Sequence, residues 1–173
     1  MYTKKLILVL LIIVVAINFT SCEKDGDDTS SSENYFKIGH NEYELWEGHI
    51  ANEGKGSQYE GYETVLSLYS YQGIESKSVF IAFEMYTNTG LRLDDGKYTY
   101  NAEKPYQIGS IGGGDYEECT IEGCNEAEIA AGDITVSRNG NTYTITIKCE
   151  DENGIKITGF YKGTLAYLDY QGL

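Results

Sequence analysis

Polar and apolar residues alternate along most of this chain with a period of two, which is the pattern of β-strands whose two faces meet different surroundings. One such run covers residues 78–86, in which Val79, Ile81, Phe83 and Met85 share one face. The opposite face includes serine, alanine and glutamate. We therefore expect the odd-numbered face of this strand to lie in the core.

The same alternation predicts the end of the domain. Two alternating runs, residues 133–138 and 142–149, flank the pair Asn139 and Gly140. An Asn-Gly pair between two such runs is a strong signal for a β-hairpin. A third run over residues 155–167 completes a predicted three-stranded antiparallel meander.

About nine short strands are predicted in total, joined by turns rich in Gly, Asn and Asp. The single proline, 20 glycines and 16 tyrosines favour strands and turns over helices. Residues 125–131 fit either one helical turn or the start of a strand. The predicted fold class is all-β, an antiparallel β-sandwich or a barrel-like meander. Gly159 and Gly163, on the apolar face of the last run, indicate a strand that bends where it crosses to another sheet or rounds a corner.

Residues 105–115 show the least regular pattern and contain three consecutive glycines, Gly112, Gly113 and Gly114. A phosphate-binding loop would need a Lys-Ser/Thr pair after the glycines, a preceding strand and a following helix. The sequence indicates none of these three features. It therefore predicts a mobile surface loop.

The first residues depart from the two-residue period. Residues 6–17 are apolar without interruption, Lys4 and Lys5 precede them, and Asn18 ends the run. A membrane-spanning helix needs about 20 apolar residues, so the layout fits a secretory signal peptide better. We expect residues 1–21 to be cleaved.

Cys22 follows Thr20 and Ser21 directly, and a cysteine in this position resembles the lipobox of bacterial lipoproteins. Phe19 departs from that pattern, since an aliphatic residue is usual there. The resemblance implies that Cys22 becomes the acylated N-terminus. Acyl chains that each contribute about 0.8 kcal/mol per buried methylene would then hold the protein on a membrane.

Residues 22–33 form an acidic, serine-rich linker that resembles the export signal of Bacteroides-type surface lipoproteins. The resemblance implies a location at the bacterial outer membrane, on the extracellular face, although a solvated tether without an export role has the same composition. Residues 34–170 are predicted to form one β domain. Its last forty residues are similar to the C-terminal part of small surface lipoproteins from an uncharacterised Bacteroides-type family, which implies fold and location and no catalytic residue.

The charge of the chain excludes one class of partner. The formal net charge is −14, and the first 21 residues contain two lysines and no carboxylate, so cleavage changes it to −16. Because lysine and arginine neutralise phosphates, a surface this acidic repels nucleic acid. We expect no nucleic-acid partner, and contact with a membrane only through the N-terminal lipid.

Three cysteines remain after Cys22. Cys119 and Cys124 enclose four residues and are candidates for a disulfide in an oxidising compartment. Their spacing differs from that of a zinc or redox pair, so no metal site or cofactor is expected. Cys149 lies in a predicted strand as a buried thiol, and its pairing with either of the other two is the alternative.

No catalytic constellation stands out. The two histidines, His40 and His49, have neither a spaced nucleophile nor an acid that would mark a triad. Carboxylates are too numerous for a pair to be distinctive. We therefore expect that the protein is not an enzyme.

Aromatic residues are the candidate binding groups. Trp46, Tyr69 and Tyr71 are predicted on the less buried faces of their strands, with Phe80, Tyr86 and Phe160 as further members. Aromatic rings beside carboxylates suit sugar stacking or protein contact. A second layer covering the strands would bury the same rings.

The sequence supports three hypotheses for function. The first is an outer-membrane lipoprotein whose non-enzymatic β domain binds a glycan or an extracellular protein, or mediates adhesion. The second is a lipocalin-like barrel that encloses a small apolar ligand. A glycan-active enzyme ranks behind both.

Overall fold

The structure is a computed structural model that describes residues 33–71 and 78–168. The predicted signal peptide, Cys22 and all but the last residue of the acidic linker lie outside the described residues. All regular elements of the described part are β-strands, which confirms the predicted all-β class. The strands are β1 Tyr35–Ile38, β2 Asn41–Glu44, β3 Glu47–Gly54, β4 Tyr62–Tyr71, β5 Ser78–Thr87, β6 Gly96–Tyr100, β7 Ser110–Thr120, β8 Gly123–Asn139, β9 Thr142–Asp151, β10 Lys156–Gly163 and β11 Leu165–Leu168.

The strands form one curled sheet with the shape of a half-barrel, in the order β11-β3-β4-β5-β7-β6-β8-β9-β10-β1-β2. The sheet is mixed, because β3 pairs with β11 and β6 pairs with β7 in parallel. The predicted purely antiparallel arrangement of about nine strands is therefore corrected to a mixed arrangement of eleven. The predicted meander is confirmed as β8, β9 and β10, which pair antiparallel.

Two short links join strands from the two ends of the sheet order. The final alternating run divides at Thr164 into β10, which pairs with β1 and β9, and β11, which pairs with β3 at the opposite end. Leu45 and Trp46 similarly join β2 to β3. Because each link is so short, the sheet must curl until its ends approach. The strand predicted to bend at Gly159 and Gly163 in fact changes partners just after Gly163.

The inner face of the curled sheet contains the core. The four residues predicted to face inward from β5 are all buried, as are the corresponding residues of β9. The largest fully buried side chains include Phe36, Tyr43, Leu66 and Phe83, which come from β1, β2, β4 and β5. The two-residue period thus identified the buried faces of β5 and β9, whereas it had assigned no buried face to β1, β2 or β4.

Residues 105–115 differ from their prediction. Gly112, Gly113 and Gly114 lie within β7, where Gly113 and Gly114 pair with β5 and Gly112 lies at a shift in register, so the three glycines are not part of a loop. A β-carbon on Gly114 would approach the backbone oxygen of Ala82 to 2.5 Å, which explains why only glycine fits there. Residues 125–131, for which the sequence left two alternatives, belong to β8.

The pairing of β7 changes partway along the strand. From Asp115 to Thr120 it pairs with β8, whereas at Ser110 and Ile111 it pairs with β6. Strand β6 pairs in turn with the second half of β8. The strands β7 and β8 therefore separate beyond Asp115 and Glu128 to admit β6, and the candidate site lies beside this fork.

Candidate ligand-binding groove

The outer face of the sheet, opposite the core, has two adjoining pockets where β4, β5, β7 and β8 lie side by side. Residues directly opposite one another on paired strands share a face. Val65, Glu84 and Gly113 form one such row, and Ala82 and Asp115 belong to the next, which continues to β8. The register therefore puts acidic and very small residues next to each other on this face.

The first pocket, which we call the aromatic pocket, is built on Tyr86. Its ring stacks on Tyr106 with centroids 4.7 Å apart and contacts Tyr59 at 4.9 Å. The two covering rings leave Tyr86 only 1% exposed, although it lies on the outer face. Gly112 makes room for Tyr86, since a β-carbon there would come within 2.6 Å of its ring. The pocket has a volume of about 330 Å³.

Backbone hydrogen bonds between two loops hold the covering rings in place. The N–H of Glu60 donates to the carbonyl of Tyr106, and the N–H of Tyr106 donates to the carbonyl of Gln58. Lys104 donates to Gln58 Oε1 at 2.6 Å and lies 5.7 Å from the centroid of the Tyr106 ring. Both rings are partly exposed, so the pocket offers apolar ring surface beside polar groups.

The second pocket, the acidic pocket, lies over the three consecutive glycines and has a volume of about 480 Å³. Its lining includes the carboxylates of Glu84, Asp115, Glu126 and Glu128, and none of its described lining residues is basic. Glu84 also lines the aromatic pocket. The two pockets therefore adjoin at Glu84, and together we call them the groove.

Partial burial and neighbouring negative charges raise the pKa values of two carboxyl groups in the groove. Withdrawal from water, followed by the nearby charges of Glu63 and Asp115, raises the pKa of Glu84, while Lys104 acts in the opposite direction. Burial and the carboxylates of Glu126, Glu117 and Glu128 raise the pKa of Asp115. An anion would add to this repulsion, so the groove suits neutral or cationic groups.

Among the predicted aromatic residues whose side chains are described, Tyr69 and Phe80 lie in contact, and Tyr86 belongs to a separate pocket. Tyr69 contacts His49 and Phe80, each at 5.0 Å between ring centroids, on the outer face of β3, β4 and β5. Trp46 is 61% exposed and meets Tyr69 through a backbone hydrogen bond, with no ring partner among the described residues. The side chain of Tyr71 lies outside the described part of the chain.

Sequence reasoning missed Tyr59 and Tyr106, which complete the aromatic pocket. Neither residue belongs to an alternating run, so the two-residue period gave no signal for them. The prediction that Tyr86 lies on a less buried face located its strand face correctly and its exposure wrongly. The only available signal was the occurrence of tyrosines in two polar loops.

The cysteines differ in their chemistry. Cys119 and Cys124 lie opposite each other on β7 and β8 and form a disulfide, whereas Cys149 is buried and free. Burial raises the pKa of Cys149 to about 12, which leaves the thiol protonated and unreactive. Glu117 lies beside the disulfide. Because the two sulfurs are bonded to each other, this group offers a metal only one good ligand.

Comparisons of the chain with models of protein families, with curated proteins and with solved structures give no match. None of the described segments forms a helix with the length and hydropathy needed to cross a bilayer.

Proposed function

We propose that this protein is a non-enzymatic glycan-binding lipoprotein, held at the outer face of the bacterial outer membrane by acyl chains on Cys22. The observation that supports the binding function is the groove, in which tyrosine rings lie next to carboxylates and an amide. The anchor is supported by the basic start, the apolar run and the small residues before Cys22. The acidic linker supports the extracellular location.

The chemistry of the aromatic pocket suits a sugar ring. A pyranose has apolar C–H faces and a rim of hydroxyl groups, so it needs flat apolar surfaces with hydrogen-bonding groups around them. Tyr59 and Tyr106 provide such surfaces, and Gln58, Glu63 and Glu84 line the same pocket with polar oxygens. Few convergent polar groups in a concave, partly aromatic site are typical of ligand pockets.

A binding function agrees better with the groove than hydrolysis does. A glycosidase needs one carboxyl group protonated and its partner ionised, so the two environments must push the pKa values apart. In the groove the pKa values of Glu84 and Asp115 shift in the same direction. These shifts give no sign of an acid and base pair, and we propose that the carboxylates serve as charged walls of the binding site.

The outer groove is also a better candidate for the ligand site than an interior cavity that encloses an apolar ligand. The inner face of the sheet is filled by side chains that are almost completely buried, such as Phe36, Leu68 and Ile145. The groove, in contrast, is open to solvent and lined by carboxylates, which an apolar ligand would have to desolvate.

The anchor is tested by labelling cells that express the full-length protein with radioactive palmitate. We expect label in the wild-type chain and none in Cys22→Ala. Protease added to intact cells should digest the domain if it is extracellular. Equal label in both chains would remove the anchor from the proposal, and complete protection of the domain would remove the location.

Glycan binding is tested by applying the detergent-solubilised full-length protein to a glycan array. Tyr106→Ala should lose about fivefold to thirtyfold in affinity for any glycan bound, because removing a stacked aromatic ring costs about 1–2 kcal/mol. Tyr167→Ala is the matched control, since Tyr167 is an exposed tyrosine on β11, outside the groove. Circular dichroism confirms that both variants fold. An array without binding, or equal losses in the two variants, would refute the glycan function.

A further inference from the structure

We propose that the groove is selective for a saccharide with a free, positively charged amino group, as in a hexosamine that is not acetylated. This inference depends on the proposed glycan-binding function and specifies the ligand. It places the sugar ring in the aromatic pocket and the ammonium group in the adjoining acidic pocket, between Glu84 and Asp115.

The geometry around Glu84 leaves space for such a group. A β-carbon on Gly113 would lie 2.9 Å from Glu84 Oε2, so the carboxylate of Glu84 extends across the glycine backbone of the neighbouring strand. Asp115 follows two residues later on the same strand and lies opposite Ala82. Only small side chains occupy the floor between the two carboxylates, and the pocket above them is open.

No ion pair within the described residues neutralises the carboxylates of the acidic pocket. Among the ion pairs of the described residues, none includes Glu84, Asp115, Glu126 or Glu128. Lys104 lines the aromatic pocket and donates to Gln58 Oε1, and its charge only partly offsets the effects that raise the pKa of Glu84. A ligand ammonium would supply the missing positive charge, in a place where opposite charges attract at short range.

The tyrosines add a second reason for an organic cation. Lys104 already lies over the ring of Tyr106 at 5.7 Å, which shows that the rim of the aromatic pocket accepts an alkylammonium. Aromatic faces attract such cations by about 0.5–2 kcal/mol. A sugar with an ammonium group therefore matches both pockets at once, whereas a uronic or sulfated sugar would be repelled.

The charge state of the pocket supports this assignment. Partial desolvation and mutual repulsion raise the pKa values of both Glu84 and Asp115. The empty groove is destabilised by this repulsion. A bound cation relieves the repulsion, and the free energy released favours binding.

The test compares two oligosaccharides that differ only in the charge at C2. Titration calorimetry on detergent-solubilised full-length protein uses glucosamine oligomers and fully N-acetylated oligomers of the same length and linkage. At about 0.02 M salt we expect the amino form to bind about tenfold more tightly, and at about 1 M salt we expect most of that preference to disappear.

Charge-neutral variants connect the preference to the groove. Glu84→Gln and Asp115→Asn should each reduce the ratio of the two affinities, amino form over acetylated form, to less than about threefold. Glu44→Gln is the matched control, because Glu44 is an exposed glutamate on β2, outside the groove. It should retain the full preference.

The possible outcomes distinguish failure of this inference from failure of the glycan-binding proposal. Equal affinity for both oligomers, tighter binding of the acetylated form, or a preference that survives in both groove variants would overturn the inference and leave glycan binding intact. Binding of neither oligomer, together with a glycan array that identifies a different ligand, would also overturn the inference alone. An array without any bound glycan would overturn both proposals.

Discussion

Asp151 is a single buried carboxylate that connects two distant parts of the sheet. It lies at the end of β9 and accepts hydrogen bonds from the hydroxyl of Tyr116 on β7 and from the backbone N–H groups of Asn153 and Ile155 in the following turn. Burial by itself would raise the pKa of Asp151. The hydrogen bonds to its ionised form outweigh that effect and hold the pKa below its ordinary value.

We expect Asp151→Asn to reduce the free energy of unfolding by about 2 kcal/mol at pH 7, because hydrogen bonds to a buried charged group are lost. The folded-state pKa lies below that of the unfolded chain, so the stabilisation is complete above about pH 4 and is lost as the pH falls through the folded value. Urea denaturation at pH 7 and pH 3 should show a large difference between wild type and variant at pH 7 and a smaller one at pH 3. Glu152→Gln, the exposed neighbour, is the control, and equal stability of wild type and Asp151→Asn at pH 7 would contradict the prediction.

Gly113 and Gly114 give a second comparison between single residues. A β-carbon on Gly114 would meet the backbone of Ala82 at 2.5 Å, whereas one on Gly113 would meet only the end of the Glu84 side chain. We expect Gly114→Ala to lose about 1–3 kcal/mol, since backbone cannot move cheaply, and Gly113→Ala to change stability by less than about 0.5 kcal/mol. Urea denaturation of the two variants measures the difference. Similar stabilities would show that this part of β7 is less closely packed than the structure indicates.

The hairpin formed by β7 and β8 is the element that supports the acidic pocket. Its two strands pair from Asp115 and Glu128 to the disulfide between Cys119 and Cys124. The turn beyond the disulfide exposes Ile121, which is 89% accessible. At the end of the hairpin away from the turn, β6 lies between β7 and β8 and pairs with both strands. The disulfide constrains the opposite end, near the turn, where β6 pairs with neither strand.

Reduction of this disulfide should lower the free energy of unfolding by about 2 kcal/mol, the amount by which a loop this short restricts the unfolded chain. The measurement is urea denaturation with and without a reductant. The double variant Cys119→Ala, Cys124→Ala should show the lower stability in both conditions, which controls for any effect of the reductant on Cys149. A wild-type chain that does not respond to reductant would contradict the prediction.

The whole molecule has an excess of negative charge, and several of its carboxylates lie in the groove. The chain has 27 acidic residues against 13 basic ones, and several carboxylates of the outer face have no partner of opposite charge in the described structure. Such a surface lowers stability through self-repulsion and at the same time attracts cations. We therefore expect the negative charge of Glu84 to favour cation binding and to lower the stability of the free protein.

We expect Glu84→Gln to raise the free energy of unfolding at pH 7. A carboxyl group whose pKa is raised on folding contributes stability below its unfolded pKa and loses that contribution as the pH rises through the folded value, so at pH 7 the ionised group is unfavourable. Glu84 is exposed, and solvent screening limits the gain to about 0.5 kcal/mol. Urea denaturation at pH 7 and pH 4 measures it, with Glu44→Gln as control. A loss of stability at pH 7 would show that Glu84 makes a favourable contact in the folded state.

Much of the sheet could be predicted because alternation is a local property. A side chain in a strand points to one face regardless of what the rest of the chain does, so Val79, Ile81 and their neighbours could be assigned to the core from the sequence alone. The hairpin at Asn139 and Gly140 and the cysteine spacing in the hairpin of β7 and β8 are local in the same sense. These features need no knowledge of distant partners.

The all-β class, the inward faces of β5, β9 and β10 and the expectation of a lipid anchor at Cys22 thus follow from local sequence patterns. The neighbours of each strand became known from the fold: β1 pairs with β10, more than a hundred residues away, and β11 pairs in parallel with β3. The groove likewise depends on contacts between distant segments, because Tyr59 and Tyr106 reach Tyr86 from separate loops. Pairings between distant segments depend on how the whole sheet twists and closes, and a two-residue period contains no information about that.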